Sequence, residues 1–219
     1  MSNWVIQATN LEKSYQDGDR LRTVLSNVQF QQEAGTFTAI TGASGCGKTT
    51  LLHLLAGLDT PTSGMIHLCG QPIATLSLTE RNYIHSHKVG FVYQQSHLLT
   101  DFTVCENVAM PLIIQGIAHQ EAMGRARGHL ASIAFERYAD YFPHQLSGGM
   151  QQKVALARAS VHQPEIIFAD EPTGNLDPES TQLVMEYLEQ INRQHHVALC
   201  LVTHDHEIAA RADQRVDLT

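Results

Sequence analysis

Gly42-Ala43-Ser44-Gly45-Cys46-Gly47-Lys48-Thr49-Thr50 is the stretch that decides how the rest of the chain folds. An apolar run at 37–41 precedes it, and an apolar segment of helical character at 51–56 follows it. A strand, a glycine-rich loop ending in Lys-Thr and a helix form the pattern of a phosphate-binding loop. Glycines allow successive backbone N–H groups to turn inward around an anion, and the helix N-terminus adds partial positive charge. The stretch therefore predicts a nucleotide site in which Lys48 reaches the β- and γ-phosphates and the Thr49 hydroxyl binds Mg²⁺.

The composition is that of an ordinary globular chain. Of its 219 residues, 43% are hydrophobic and 16% are charged, and no apolar run approaches the roughly 18 residues of a membrane span. The formal net charge of −8 argues against a nucleic-acid partner, because phosphate backbones bind basic faces. Residues 1–7 lack the pattern of a signal peptide, and the four cysteines form no CxxC pair, which favours free thiols in a reducing compartment. We therefore expect a cytoplasmic protein whose link to a membrane comes through a partner.

Apolar strands alternate with helices along the chain, which predicts an α/β fold with a parallel sheet covered on both faces. The segment from about 96 to 159 is richest in helical pattern, with breaks expected near Pro111, Gly116 and Pro143. A polar turn is expected over 15–20, between the first two strands. The predicted strands are 5–8, 24–30, 37–41, 65–68, 89–93, 166–169 and 197–202. The predicted helices are 51–56, 149–161, 180–193 and 206–212, the third with Leu183, Val184, Tyr187, Leu188 and Ile191 on one apolar face.

Two acidic residues, Asp170 and Glu171, follow the apolar run 166–169. A buried strand that ends in Asp delivers a carboxylate beside a phosphate loop, where it can hold Mg²⁺ directly or through water. Glu171, one residue on, is placed to polarise an attacking water. The alternative is a solvated loop start. The apolar residues before the pair and Pro172-Thr173-Gly174 after it favour the catalytic interpretation.

A second candidate anion site is Leu146-Ser147-Gly148-Gly149-Met150, which precedes a long helical segment. Gly148 and Gly149 leave backbone N–H groups exposed at a helix N-terminus, and Ser147 adds a hydroxyl. Taken alone, the segment would be interpreted as a Ser N-cap with a flexible turn. Together with the two nucleotide motifs, it favours a second phosphate contact.

These motifs, in this order, resemble the nucleotide-binding subunit of an ATP-binding-cassette transporter, and the resemblance covers essentially the whole chain. It implies a single domain over 1–219 with the α/β fold of the P-loop NTPases. Within it, the resemblance implies a mainly parallel central sheet, an N-terminal antiparallel β subdomain and an inserted helical subdomain at about 95–160. It also implies ATP hydrolysis, with ATP and Mg²⁺ as cofactors.

The resemblance carries roles over to individual positions. Gln94 matches the glutamine that senses the γ-phosphate and metal, and His204 matches the switch histidine that hydrogen-bonds the γ-phosphate. Tyr15 matches the aromatic residue that stacks on adenine. The implied catalytic residues are Glu171, His204, Lys48 and Gln94, and the implied metal ligands are Thr49, Gln94 and Asp170. The implied nucleotide-binding residues are Tyr15, Gly42, Ala43, Ser44, Gly45, Cys46, Gly47, Lys48, Thr49, Thr50, Gln94, Ser147, Gly148, Gly149 and Asp177.

The resemblance also implies partners. Ser147, Gly148 and Gly149 would close over the nucleotide held by the other subunit's phosphate loop, so that two chains form a head-to-tail homodimer, with Asp177 crossing the interface. The dimer would sit on the inner face of the inner membrane, contact integral permease subunits through the 94–111 region and never touch the cargo. The segments 57–64, 106–112 and 169–177 resemble the bacterial lipoprotein-release and macrolide-export branch.

Two alternatives remain open at this stage. A division-associated relative would regulate a cell-envelope enzyme through a permease-like partner without transporting anything. A soluble cassette ATPase of DNA repair or translation would need no permease, but such proteins usually carry a coiled-coil insertion or a second cassette, and this chain has neither.

Several residues depart from the family pattern or attract a separate interpretation. Met150 stands where glutamine or glutamate is usual, and Lys153 replaces an arginine, which would weaken bidentate bonding to a carboxylate partner. Cys46 lies at a helix N-terminus beside Lys48, surroundings that activate a thiol. If Thr203-His204-Asp205-His206 were a strand, His204 and His206 would share a face, but two ligands without a third are weak evidence for a metal site.

Overall fold

A computed structural model describes residues 4–18 and 20–218. The strands are β1 Trp4–Asp17, β2 Arg20–Glu33, β3 Phe37–Gly42, β4 Ser63–Leu68, β5 Gln71–Pro72, β6 Val89–Val92, β7 Ile166–Asp170, β8 Ala198–Val202 and β9 Gln214–Leu218. The α-helices are α1 Lys48–Leu55, α2 Leu78–His87, α3 Val104–Ile114, α4 His119–Ser132, α5 Gly148–Ser160, α6 Pro178–His195 and α7 His206–Ala209.

The strands form two sheets. The central sheet has the order β6-β7-β8-β3-β9, and each of its strand pairs is parallel. The second sheet has the order β2-β1-β4-β5 and is antiparallel. The predicted α/β fold, with a mainly parallel sheet, an N-terminal antiparallel sheet and helices inserted between β6 and β7, is confirmed.

Helix α1 lies in the apolar core shared by the two sheets. Its leucines Leu51, Leu52, Leu54 and Leu55 are fully buried in the same cluster as side chains of β1, β4, β7 and β8. Burying a leucine side chain is worth roughly 1.5–3 kcal/mol, so this short helix is held by packing on all sides. The phosphate loop that precedes α1 is therefore anchored to the centre of the molecule at both ends.

The second apolar cluster covers the other face of the central sheet and continues into helices α3, α4 and α5. Helix α3 begins with a capping box between Thr103 and Glu106. The break expected near Pro111 is wrong, because α3 continues through Pro111 to Ile114. Val108, Ala109 and Leu112 are buried there, and this packing outweighs the helix-breaking tendency of a proline in the last turn.

Three local predictions are also corrected. The polar turn expected over 15–20 is shorter, because β1 continues to Asp17 and β2 resumes at Arg20. On α6, Val184, Tyr187, Leu188 and Ile191 are buried as expected, but Leu183 is 54% exposed. His204 and His206 do not share a strand, since β8 ends at Val202 and Asp205 caps a new helix that starts at His206.

No helix within 4–18 and 20–218 combines the length and apolarity that crossing a bilayer would need.

Gly90 in β6 and Gly124 in α4 make a matched test of this packing. A Cβ at Gly90 would lie 2.3 Å from the carbonyl oxygen of Ala159, whereas a Cβ at Gly124 would meet nothing within 4 Å. Gly90→Ala should lower the free energy of unfolding by about 1–3 kcal/mol, because backbone must move. Gly124→Ala should raise it by about 0.5–1 kcal/mol, as expected for a helix interior. Urea unfolding measures both, and equal stabilities for the two variants would contradict the packing described.

Candidate active site

The candidate site residues lie at one edge of the central sheet. The phosphate loop follows β3, Asp170 is the last residue of β7, and His204 and Gln94 lie two residues beyond β8 and β6. These four strands are neighbours in the parallel sheet, so their carboxyl ends meet at the same edge. The topology thus brings together residues as far apart in the sequence as Gly42 and His204.

The phosphate loop has the backbone geometry that anion binding requires. Gly45 and Gly47 have φ angles of +79° and +103°, which favour glycine, and a Cβ at Gly45 would meet nothing within 4 Å. The Nζ of Lys48 donates to the carbonyl oxygens of Gly42 at 3.0 Å and Ala43 at 2.9 Å, so the ammonium group is held across the loop. A cavity of about 340 Å³ opens here, lined by Arg22, Val24, Ser44, Gly45, Gly47, Lys48, Thr49, Thr50 and Glu171.

Thr49 and Asp170 meet beside the loop. The Thr49 hydroxyl donates to Oδ1 of Asp170 at 3.2 Å. Burial raises the pKa of Asp170, and the neighbouring Glu171 acts in the same direction, while Thr49, His53 and Lys48 act against it. A hydroxyl and a carboxylate together are oxygen ligands of the kind that Mg²⁺ prefers. The residues present therefore fit the predicted metal.

Glu171 is held in a strained position next to His204. Its φ angle of +45° is unusual for a non-glycine residue, and its N–H donates to the carbonyl oxygen of Val202 at 3.0 Å. Its Oε2 hydrogen-bonds Nδ1 of His204 at 3.0 Å. Glu171 lines both the phosphate cavity and an adjoining cavity of about 510 Å³ that His204 also lines. Strained backbone of this kind is often retained at catalytic positions.

Gln94 reaches the same region from β6. Its Nε2 donates to Oδ1 of Asn175 at 3.2 Å. A Cβ at Gly174 would lie 2.9 Å from Gln94 Nε2 and 3.3 Å from Glu171 Oε2. Gly174 therefore allows the Gln94 amide and the Glu171 carboxylate to approach each other. The sequence did not mark Asn175 as a contact of Gln94, because nothing in its spacing shows which loop it faces.

The segment Ser147-Gly148-Gly149 begins α5, and Gly149 lies against the start of helix α6. Ser147 caps α5 and accepts a hydrogen bond from the Met150 N–H at 3.4 Å. A Cβ at Gly149 would lie 2.4 Å from Oγ of Ser180, and Ser180 is bonded to Asp177, the N-cap of α6. None of these three residues is among the described residues that line the phosphate cavity. Within one chain the two predicted anion sites remain separate.

Met150 and Lys153, the two residues of α5 that depart from the family pattern, each make a defined contact. Met150 packs against the apolar cluster beneath α5. Lys153 donates to the carbonyl oxygen of Ile133 at 3.1 Å and lies 5.3 Å from the centre of the Phe135 ring. Burial lowers the pKa of its ammonium group. Within the described residues, Lys153 thus bonds a backbone carbonyl and no carboxylate.

Tyr15 is held by a small ionic network. Its hydroxyl donates to Oδ2 of Asp59 at 2.9 Å, and Lys13 Nζ donates to Oδ1 of the same carboxylate at 2.8 Å. Nζ of Lys13 also lies 4.7 Å from the centre of the Tyr15 ring. Although partial burial opposes it, the bonds from Lys13, Thr60 and Tyr15 lower the pKa of Asp59. Lys13 and Asp59 therefore fix a ring that the sequence analysis singled out, and no motif indicated them.

Comparisons with known proteins identify the family and the fold. The family model described as ABC transporter matches residues 25–174. The dimeric ATP-binding cassette MJ0796, in a post-hydrolysis state bound to ADP and Pi, is similar at 35% identity and a TM-score of 0.88, over 98% of this chain and 94% of that one.

Two further solved structures have the same TM-score. One is another dimeric structure of MJ0796, a bacterial ABC transporter cassette, at 36% identity and a TM-score of 0.88, over 97% of this chain and 94% of that one. The other is cbiO1 from Clostridium perfringens, part of the ABC transporter complex cbiONQ, at 26% identity and a TM-score of 0.88, over 100% of this chain and 86% of that one.

The raised pKa of Asp170 predicts a pH-dependent cost in stability. Because the folded chain holds this proton more tightly than the unfolded chain, ionised Asp170 destabilises the fold above its folded pKa. The destabilisation fades as pH falls and vanishes below the ordinary value of 3.8. Without nucleotide, Asp170→Asn should therefore have a higher free energy of unfolding than the wild type, and the difference should be larger at pH 7 than at low pH. Urea unfolding across the pH range measures this gain. Asp101→Asn, at an exposed loop position, is the control, and a gain that does not change with pH would contradict the prediction.

Proposed function

The chain belongs to the ABC transporter family and is an ATPase of that family, and from this premise we propose that two copies share their ATP sites and power a separate membrane permease. The observation that carries the proposal is the separation of the two anion sites within one chain. Lys48 and its loop line the phosphate cavity, whereas Gly149 lies against Ser180 in α6, and neither Ser147 nor Gly148 is among the described residues that line that cavity. A second chain, placed head to tail, would bring its own Ser147–Gly149 segment to this cavity.

Dimerisation is supported by the relatives. MJ0796, at 35% identity, is dimeric in a state bound to ADP and Pi. Ser147, Gly148 and Asp177 are exposed, and so are Ser44 and Gly45 in the phosphate loop. Both parts of the proposed shared site are therefore available on the surface of one chain. Asp177 and Ser180, which join the starts of α5 and α6, would lie at the boundary between the two copies.

The proposed chemistry assigns one task to each residue around the cavity. Lys48 and the inward N–H groups of the loop hold the phosphate charge. Glu171 accepts a hydrogen bond from the attacking water and orients it, and His204, bonded to Glu171 at 3.0 Å, supports the charge that develops on the γ-phosphate. Such catalysis depends mostly on positioning and electrostatics.

Thr49, Asp170 and Gln94 are the proposed ligands of Mg²⁺, directly or through water. When bound, Mg²⁺ would neutralise phosphate charge. Positive charge from the metal would also favour the ionised form of Asp170, whose pKa burial raises in the chain alone. Gln94 approaches from β6 next to Gly174 and Asn175, so its amide is placed to link this ligand set with the Glu171 carboxylate.

The proposed permease contact is the 94–111 region. A cavity of about 510 Å³ lies between the loop after β6 and the start of α5, with Leu98, His144 and Gly148 among its lining residues. Nearby, the side chains of Leu99 and Phe102 are 42% and 39% exposed, which suits a protein contact. The proposed type of transport is lipoprotein release or efflux, because the segments 57–64, 106–112 and 169–177 resemble that branch of the family. The nucleotide-binding subunit would not contact the cargo.

Co-purification from membranes with the intact partner tests the permease proposal. Recovery of a polytopic membrane protein, lost when Leu99 and Phe102 are both changed to Ser, would support it. Recovery of soluble partners alone would contradict it. The periplasmic domain of the partner would then separate transport from regulation of an envelope enzyme.

Glu171→Gln tests the shared site. The variant should bind ATP as the wild type does, hydrolyse it about 10²–10⁴-fold more slowly, and accumulate as a dimer in size-exclusion chromatography with ATP. Glu186→Gln, on the exposed face of α6, makes the same change of charge and should leave rate and assembly unaltered. For the wild type, the rate per chain should rise with protein concentration. A maximal rate per chain in a demonstrated monomer would show that the site is complete in one copy.

Cys46 provides a chemical test of nucleotide occupancy. Its thiol is partly exposed in the phosphate loop, whereas Cys69, Cys105 and Cys200 are buried and burial raises the pKa of each. A maleimide should therefore modify Cys46 selectively and abolish ATP hydrolysis, and MgATP should protect. Mass spectrometry identifies the modified residue, and Cys46→Ser should be resistant. Modification that proceeds equally with and without MgATP would refute the assignment of Cys46 to the nucleotide site.

A further inference from the structure

We propose that Arg22 is a further nucleotide-binding residue, and that its guanidinium group contacts the α-phosphate of ATP. The inference rests on the proposed function for the location of ATP in the phosphate cavity. It concerns a residue outside the phosphate loop, which no motif in the sequence marks. Three observations carry it: the part of β2 that lines the cavity, the pairing of Arg22 across the hairpin, and the charge within the cavity.

The first observation is that β2 forms one wall of the phosphate cavity. Val24 and Arg22 both line it, although the strand is irregular here, since Lys13 pairs with Leu25 and Ser14 with Thr23. Val24 is anchored against the loop itself, because a Cβ at Gly47 would lie 2.9 Å from Cγ1 of Val24. Arg22 lies two residues before Val24 in β2, which puts the two Cα atoms at most about 7 Å apart. Its exposed side chain therefore starts close to the loop and is long enough to cross the cavity.

The second observation is that Arg22 pairs with Tyr15 in the β1–β2 hairpin. The Tyr15 ring, fixed by Asp59 and Lys13, is the proposed partner of the adenine. At the opposite end, Lys48 is tied to the carbonyl oxygens of Gly42 and Ala43 and serves the β- and γ-phosphates. Arg22 is thus a neighbour of Tyr15 across the hairpin and shares a cavity with Lys48, and a nucleotide bound between those two residues would bring its α-phosphate within reach of Arg22.

The third observation is the charge of the wall. The charged residues that line the cavity are Arg22, Lys48 and Glu171. Lys48 is 7% exposed and held in place, so Arg22 supplies the mobile positive charge. A guanidinium group donates two parallel hydrogen bonds to phosphate oxygens, which an ammonium group cannot do. Arginine at this position therefore adds a contact that the loop alone does not provide.

The test compares Arg22→Gln with the wild type by calorimetric titration of ATP and ADP. An α-phosphate contact predicts that both nucleotides bind roughly three- to ten-fold more weakly, by the same factor. The difference should shrink in about 0.5 M salt, because the contact is exposed and electrostatic. Arg22→Lys should recover part of the loss. Arg137→Gln, which removes the same charge from a distant residue stacked on Tyr138, is the matched control and should bind both nucleotides normally.

Any other result would contradict one part of the Arg22 proposal. Unchanged affinity for both nucleotides would remove Arg22 from the site, and a loss confined to ATP would rule out the α-phosphate as its partner. Melting curves that match those of the wild type show that the variant is folded. The proposed function fails separately, if the wild type binds no ATP or if Lys48→Ala binds it normally.

Discussion

The burial of α1 between the two sheets is the interaction on which the site depends. Its four leucines are fully buried, so the N-terminus of the helix, with its unpaired N–H groups and Lys48, cannot move relative to β3. In the proposed site, a loop held at both ends by core elements would keep its N–H groups directed at a bound phosphate. Anion binding then requires little reorganisation, which is the physical basis of electrostatic preorganisation.

The same edge of the sheet concentrates groups that are unfavourable for stability. Asp170 is partly buried, which raises its pKa, and Glu171 has a positive φ angle. Neither feature helps the chain to fold, and both are maintained by neighbouring elements: the Val202 carbonyl at the end of β8 accepts from the Glu171 N–H, and Thr49 in α1 donates to Asp170. A rigid parallel sheet tolerates such local costs because its core is formed elsewhere, by residues such as Phe168.

Two elements outside the central sheet supply further residues of the proposed nucleotide site. The antiparallel sheet contributes the wall with Arg22 and Val24 and the ring of Tyr15, which Lys13 and Asp59 fix. The helical insertion contributes Ser147, Gly148 and Gly149, none of which is among the described residues that line the phosphate cavity of the same chain. In the proposed dimer, the first element acts on the nucleotide of its own copy and the second on that of its partner. This division makes hydrolysis depend on assembly.

The sequence by itself determined the fold class and marked the phosphate loop and the Asp170–Glu171 pair, because these are short motifs whose chemistry depends on neighbours in the chain. The role proposed for His204 came from the family resemblance. The sequence also located most strands and helices, since apolar periodicity reports burial. It misjudged Pro111, where buried packing outweighs local preference, and the turn at 15–20, where cross-strand pairing extends both strands. Only the tertiary structure decided that Arg22 faces the cavity, that Asp59 holds Tyr15 and that Gly149 packs on Ser180. These relations depend on strand register and on how helices meet, and residues distant in sequence carry no local signal of either.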